Sequence, residues 1–217
     1  MERIVSVMIG YAFGLLQTGY IYGKLHHMDI RRYGSGNAGT TNALRTLGWK
    51  AGLVTFLGDA FKCIFAVLAV KLLFGHSHGE ILPVLAMYAG MGAVLGHNYP
   101  FYLGFKGGKG IAVTSAVVMS AAHPVMIPIG LAIFIAAVIL TKYVSVGSLF
   151  VAWYIPANTL VFHHNDKAFV HMMVISLLFT VFAYFQHRQN IVRLIHGNEN
   201  KLWQKKEEKE AASDEQS

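Results

Sequence analysis

Seven stretches of this chain are apolar almost throughout, and any fold must house all of them. They are Ile4–Gly23, Ala51–Phe74, Ile81–Gly96, Ile111–Ala122, Pro124–Leu140, Ser148–Phe162 and Ala168–Gln186. Several approach the roughly 20 residues that a helix needs to cross a ~30 Å hydrocarbon core. In lipid each backbone N–H and C=O must be satisfied internally, which favours helices. The expected class is therefore all-α: a polytopic integral membrane protein with about seven transmembrane helices. Composition agrees, since 13% of the residues are charged where a soluble domain carries about 25%. Ile111–Ala122 is too short to cross squarely and reads as a short buried or partly spanning helix, with His123-Pro124 breaking it from the next. Ile4–Gly23 is long for a cleaved signal and has no clear cleavage site, so it is expected to be an uncleaved span. Residues 1–201 form one membrane domain. The charged, small-residue tail 202–217 is expected to be disordered in the cytoplasm.

Lys and Arg set the orientation. With the N-terminus outside, one face receives Lys24, Arg31, Arg32, Arg45, Lys50, Lys106, Lys109, Lys142 and the basic residues from Arg188 onward. The other keeps Arg3, Lys71 and Lys167. This puts the C-terminus in the cytoplasm, with loops 24–50, 98–110, 141–147 and 187–201 together on the cytoplasmic face. The net charge of +7 then marks that face and anionic ligands, and no nucleic-acid partner is expected. Cys63 is the single cysteine, which excludes an intrachain disulfide and a cysteine metal cluster. The histidines outside the motifs below do not form a helical metal pair with an accompanying acid, and neither a metal nor another cofactor is expected. Asp59 and Lys62 lie inside the second span, three residues apart and so on one helix face. A charge there costs about 2.5–3.5 kcal/mol on insertion scales, so the two are expected to pair as an anchor beneath a site.

The polar residues concentrate in those same loops. The first motif runs from Gly34 to Arg45. Gly34, Gly36 and Gly39 permit tight turns and close backbone approach. Ser35, Thr40 and Thr41 bring hydroxyls, Asn37 and Asn42 bring amides, and Arg45 brings a fork of donors suited to phosphate or carboxylate. The second joins Gly96-His97-Asn98-Tyr99-Pro100 to Phe105-Lys106-Gly107-Gly108-Lys109-Gly110. It lacks the Lys-Ser/Thr of a Walker A loop, because Lys109 is followed by Gly110 and Ile111. Gly107, Gly108 and Gly110 are expected to free backbone donors for an oxyanion, with Lys106 and Lys109 supplying charge. The third runs His187-Arg188-Gln189-Asn190 to Arg193, then on to Glu199 and Lys201. If the last span continues as helix, His187, Asn190 and Arg193 share one face, and a histidine there can orient a hydroxyl or accept its proton. A weaker fourth stretch, Lys142 to Ser148, adds hydroxyls including Ser145.

Taken together, GSGNAGTTNALRTLG, GHNYPFYLGFKGGKG and HRQNIVRLIHGNENK resemble, in order and spacing, the three cytoplasmic motifs of the bacterial acyl-phosphate:glycerol-3-phosphate acyltransferases of the PlsY type. The resemblance extends to about Lys201. It departs at Ala38, where many members have Pro, and at Cys63, where Gly is usual. It implies seven spans in the bacterial plasma (inner) membrane and an active site on the cytoplasmic face. It implies synthesis of lysophosphatidic acid from a fatty acyl phosphate and glycerol 3-phosphate, with membrane lipid as surroundings. Carried over by position, Ser35, Arg45, Lys106, His187 and Asn190 look like the catalytic core. Gly36, Asn37, Thr41, Asn42, His97, Gly107, Gly108, Lys109, Gly110, Ser145, Arg193 and Glu199 are expected to bind substrate.

Such a reaction sets its own demands. Two phosphate dianions about 5.5 Å apart repel by roughly 12 kcal/mol at an effective dielectric of 20. Several cations are therefore needed, and Arg45, Lys106, Lys109 and Arg193 can supply them. An acyl phosphate is an activated anhydride, so direct attack by the glycerol hydroxyl needs no acyl-enzyme. The proton goes to His187 or to a phosphate oxygen of the donor, and the resemblance favours the second. Two other classes fit the composition. A transporter of organic anions would want its site near the midplane and often two related halves, whereas here the polar residues crowd one face without an internal repeat. A lipid-binding scaffold would leave Asp59 and three Gly-rich loops unused. No His is followed five residues later by Asp, the pattern of the glycerolipid acyltransferases that use thioester donors.

Overall fold

The structure, a computed structural model, describes residues 1–121 and 123–202. Most of the charged tail and the last residue of the fourth apolar stretch lie outside the described residues. The described residues contain helices and no strand. The helices are α1 (Glu2–Gly14), α2 (Thr18–Leu25), α3 (Thr40–Leu47), α4 (Trp49–Phe74), α5 (Leu82–Asn98), α6 (Ile111–Ala121), α7 (Met126–Thr141), α8 (Val144–Val151), α9 (Tyr154–Phe162), α10 (Phe169–Gln186) and α11 (Arg188–Ile195). Five segments are long and apolar enough to cross a membrane: Glu2–Leu25, Trp49–Phe74, Gly79–Leu103, Val144–Phe162 and Phe169–Gln186. Met126–Thr141 is apolar but has 16 residues, and α6 has 11.

α5 is apolar on all sides and is buried on nearly all of them, as expected of the central helix of a bundle. Val84, Leu85, Met91 and Val94 of α5 pack with Val67 and Val70 of α4, Val113 and Val117 of α6, and Phe179 of α10. The outer helices face outward with apolar side chains: Leu72, Leu140, Val170 and Val181 are all more than half exposed. Apolar surface on that scale, with a buried Asp59 and Lys62, suits lipid and not water as the surrounding solvent.

Small residues bring α1 against α5. A Cβ on Gly10 or Gly14 would collide with the backbone of Ala89 or Ala93, and one on Gly92 or Gly96 with the backbone of Val7, Tyr11 or Gly14. The four-residue spacing on both helices puts each pair on one face, a small-xxx-small seam that lets backbones touch.

Two expected continuous helices are interrupted, each for a visible reason. The first span breaks between α1 and α2 at residues 15–17. The carbonyls freed there are met by side chains: Tyr102 Oη donates to Leu15 O at 2.6 Å, Lys62 Nζ to Leu16 O, and Gln17 Nε2 to Gly14 O at 3.2 Å. The sixth breaks between α8 and α9. Pro156 has no N–H to offer Ala152 O, and Thr180 Oγ1 donates to that carbonyl at 2.7 Å instead. The last span ends at Gln186, as expected, and does not run on into α11, so His187, Asn190 and Arg193 are not carried on the face of one continuous helix. The His123-Pro124 break is present, with Asn158 Oδ1 accepting from His123 N–H at 3.1 Å.

The seam predicts a sharp contrast. Gly92→Leu forces α1 and α5 apart and should destabilise the protein by about 1–3 kcal/mol or more, read as a lowered Tm in detergent. Gly79→Ala, where a Cβ meets nothing within 4 Å, should leave the Tm unchanged.

Candidate functional site

The four polar loops meet at one end of the bundle. Asn37 Nδ2 donates to Gly107 O at 3.3 Å, Arg45 Nη2 to Asn200 O at 3.0 Å, and Leu202 N to Lys142 O at 2.9 Å. Lys109 Nζ donates to Asn190 Oδ1. Between them lies a cavity of about 470 Å³. Its polar end is lined by Ser35, Asn37, Thr41, Arg45, Lys109 and His187, among others. From there it runs as an apolar slot past Met119 of α6, Leu131 and Phe134 of α7, Val151 of α8 and Tyr154 of α9.

Glu199 organises the polar end. Its side chain is buried, and Oε1 accepts from Asn190 Nδ2 at 2.7 Å and from Ser145 Oγ at 3.3 Å, while Oε2 accepts from Arg193 Nε at 2.8 Å. One carboxylate thus ties α8, α11 and the C-terminal segment together. Three cations, Arg45, Lys109 and Arg193, line the cavity with it, so this end is electropositive. Burial lowers the Lys109 pKa to about 8, helped by repulsion from Arg193 and opposed by Glu199. Burial likewise pushes Arg45 below its ordinary value, against the pull of Glu199. His187 is buried at the turn between α10 and α11, and burial holds its pKa down at about 4. It is therefore neutral near pH 7. Its Nδ1–H donates to Ala183 O at 2.8 Å, an assignment made from the partner, which leaves the Nε2 lone pair as acceptor.

The glycines of the second motif act differently from expectation. The Gly107 N–H donates to Asn98 O and the Gly108 N–H to His97 O, both at 3.1 Å, so neither is free to cradle an anion. Glycine is required there for space. A Cβ on Gly107 would strike His97 O, and one on Gly108 the His97 ring. The two residues dock the loop onto the end of α5 and so aim Lys109 at the cavity. Asn42 is similarly occupied: its Nδ2 donates to Ile30 O, Tyr33 O and Asn37 O, and its Oδ1 accepts from Ser35 N at 2.8 Å. It shapes the first loop from within.

A model of the family "Glycerol-3-phosphate acyltransferase" matches residues 4–197. The chain belongs to the glycerol-3-phosphate acyltransferase family. It is 41% identical over 208 residues to the glycerol-3-phosphate acyltransferase of Thermoanaerobacter sp. (strain X514), covering 95% of this chain and 99% of that one. It is 42% identical over 206 residues to that of Clostridioides difficile (strain 630), covering 94% and 97%. Among solved structures it is similar to PlsY, an integral membrane glycerol 3-phosphate acyltransferase, in its glycerol 3-phosphate form. There the TM-score is 0.79 and the identity 29%, covering 93% of this chain and 96% of that chain. The form of PlsY with lysophosphatidic acid gives a TM-score of 0.77 at the same identity, covering 93% and 95%.

Set against this family member's sequence-derived candidates, the cavity collects Ser35, Asn37, Thr41, Asn42, Arg45, His97, Lys109, Gly110, Ser145, His187, Asn190, Arg193 and Glu199. Lys106 is exposed and, like Gly36, Gly107 and Gly108, does not line it. Asp59 lines it although its sequence context spoke only for an anchor. The slot residues on α6 to α9 gave no signal in the sequence, since an apolar side chain facing a groove reads like one facing lipid. Gly130 is a partial exception: its N–H donates to Tyr154 Oη at 2.9 Å, and a Cβ there would enter the Tyr154 ring.

Removing the organising carboxylate should be costly. Glu199→Ala leaves Arg193, Asn190 and Ser145 without their shared acceptor and should destabilise the protein by about 2–3 kcal/mol. Ser145→Ala should cost about 1 kcal/mol or less. Thermal unfolding of both variants in detergent checks the order.

Proposed function

We propose that this chain is an acyl-phosphate:glycerol-3-phosphate O-acyltransferase. It moves a fatty acyl group to the sn-1 hydroxyl of glycerol 3-phosphate, giving lysophosphatidic acid and phosphate, the first step of phospholipid synthesis. In this reading the chain crosses the bacterial inner membrane seven times, with the N-terminus outside and the polar end of the cavity in the cytoplasm. Membership in the family supports the acceptor. The observation that carries the rest is a cavity joining an electropositive end, where Arg45, Lys109 and Arg193 face Glu199 while the other lining carboxylate, Asp59, is paired with Lys62, to an apolar slot. A phosphate head and a fatty tail fit those two ends and no single solvent.

The residues divide the work as follows. Arg45, Lys109 and Arg193 hold phosphate oxygens, with Ser35, Asn37 and Thr41 adding donors around the start of α3, while Gly36, whose N–H donates to Tyr33 O, turns the loop. Asn42, Gly107 and Gly108 hold the loops in shape, with Gly110 opening α6 at the cavity wall. Lys106, exposed on the rim, meets the incoming anions. Ser145 and Glu199 set the orientation of Asn190. His187 accepts a hydrogen bond from the glycerol hydroxyl at Nε2, and Asn190 orients the reacting groups. The hydroxyl oxygen attacks the acyl carbon, the bond from that carbon to the phosphate oxygen breaks, and the phosphate leaves with the electron pair. A histidine with a pKa of about 4 is a weaker base than a phosphate monoester, whose second pKa is about 6. The proton therefore goes to the departing phosphate, while positioning and charge stabilisation supply most of the rate.

Purified protein in lipid, given labelled glycerol 3-phosphate, should form lysophosphatidic acid with palmitoyl phosphate and none with palmitoyl-CoA. Product from the thioester alone would overturn the donor assignment. Arg45→Ala and Lys109→Ala should each lower kcat/KM by roughly 100-fold, as loss of a charged donor does. The pH dependence follows from Lys109. Its ammonium is present below about pH 8 and is lost as the pH rises through that value. KM for glycerol 3-phosphate should therefore climb above pH 8, and Lys109→Arg, which stays charged, should remove that rise.

A further inference from the structure

The Asp59–Lys62 pair lies within α4 and is outside the hydrogen bonds around Glu199. Lys62 Nζ has three acceptors: Leu16 O at 2.5 Å, Asp59 Oδ1 at 2.8 Å and His97 Nδ1 at 2.8 Å. An ammonium has three donors and no lone pair. Beside a carboxylate and a carbonyl, its third proton faces His97 Nδ1, which must then be the acceptor. The proton of the neutral imidazole is left on Nε2. His97 is 2% exposed, lines the cavity, and carries its Nε2 edge over Gly108. Asp59 Oδ1 also lies 3.6 Å from Nδ1. A carboxylate alone would draw the ring proton to Nδ1, so Lys62 decides which nitrogen carries it.

We infer that the Asp59–Lys62 pair is a tautomer lock. It holds His97 with its proton on Nε2, so that His97 donates a hydrogen bond to the anionic head of the substrate and does not act as a base. This rests on the glycerol-3-phosphate acyltransferase reading of the cavity. Asp59 and Lys62 are positioning residues that act through His97. The lock also separates two histidines of one cavity. His187 donates from Nδ1 to Ala183 O and presents an acceptor, while His97 accepts at Nδ1 from Lys62 and presents a donor. One imidazole suits a hydroxyl proton and the other a phosphate oxygen, with neither needing to titrate.

Nitrogen-15 spectra of the full chain, labelled at histidine and held in lipid, read the tautomer without turnover. The His97 signals are identified by their loss in His97→Asn. In the unaltered protein Nε2 should carry the proton and Nδ1 should show the shift of an unprotonated nitrogen; a proton on Nδ1 overturns the lock. In Lys62→Met the proton should move to Nδ1, towards Asp59. The double variant Asp59→Asn, Lys62→Met leaves no buried charge unpaired, guarding against misfolding of the single variant. It should lose the fixed tautomer and exchange between the two, and a persistent Nε2–H in Lys62→Met overturns the lock.

Kinetics give an independent reading. Asn at position 97 keeps an amide oxygen near Nδ1 for Lys62 but has no group at Nε2. His97→Asn should raise KM for glycerol 3-phosphate about tenfold to hundredfold with kcat little changed, as loss of a donor to a bound anion would. A fall in kcat at constant KM overturns the assignment of His97 as a donor to the bound anion. Absence of turnover in the unaltered protein would sink the acyltransferase reading, while the spectra would still decide the lock.

Discussion

A buried ammonium is the constraint around which the molecule is arranged. Lys62 is 3% exposed in the middle of an apolar helix, where an unpartnered charge costs about 2.5–3.5 kcal/mol on insertion scales. Its three protons are met by groups from three places: Asp59 one turn away, His97 at the end of α5, and the Leu16 carbonyl between α1 and α2. The last of these is available because the first span is broken. A continuous helix would have used that carbonyl internally. The break is thus part of the charge's solvation, and Gln17 closes it by donating to Gly96 O and His97 O as well. The chain after the break then turns towards the first polar loop. The path of that loop and the seat of His97 both follow from one satisfied cation.

Close approach supplies the second layer of control. The α1–α5 seam lets two backbones touch where larger residues would hold them apart. At the end of that same α5, Gly107 and Gly108 let the second loop lie on His97. The apolar bundle and the polar site are therefore joined through one helix. Its upper surface fixes where Lys109 points, and its sides fix how far α1 and α4 stand from it. The glycines matter here less for backbone freedom than for the side chains they lack.

That distinction explains what could be read from the chain and what could not. Helical class, the polar loops and their meeting at one end were legible, because apolar run lengths and the clustering of Gly, Asn, Lys and Arg are local properties. The Asp59–Lys62 pair was legible as an anchor, since its spacing and its cost in lipid leave few options. The breaks at Gln17 and at Ala152–Trp153 were not. Each depends on side chains distant in sequence, Lys62 and Tyr102 for one and Thr180 for the other. The glycine loop was legible as a feature, but the reason for two of its glycines was not. Three glycines beside lysines look like an anion cradle, and only the positions of His97 and Asn98 reveal that two of the N–H groups are already bonded. Lys106 and Lys109 are alike in sequence, and the docking of Gly107 and Gly108 separates them into an exposed residue and a cavity residue.

The chemistry proposed for the cavity follows from its charge and its proton carriers taken together. A thioester donor would leave as a thiol and would bring no second phosphate to the reacting carbon for the three cations to hold. An acyl phosphate brings its own negative charge, its own leaving group and an oxygen more basic than a histidine with a pKa of about 4. A cavity rich in cations and poor in strong bases suits a substrate that supplies its own base. What the protein then must supply is alignment: an acceptor at His187 for the hydroxyl, donors at Arg45 and Lys109 for phosphate oxygens, and an apolar slot that keeps the tail out of water. Each lies on a different element, and Glu199 with the buried Lys62 holds those elements in register. The proposed catalytic arrangement is in this sense the polar solution to a packing problem set by an apolar bundle.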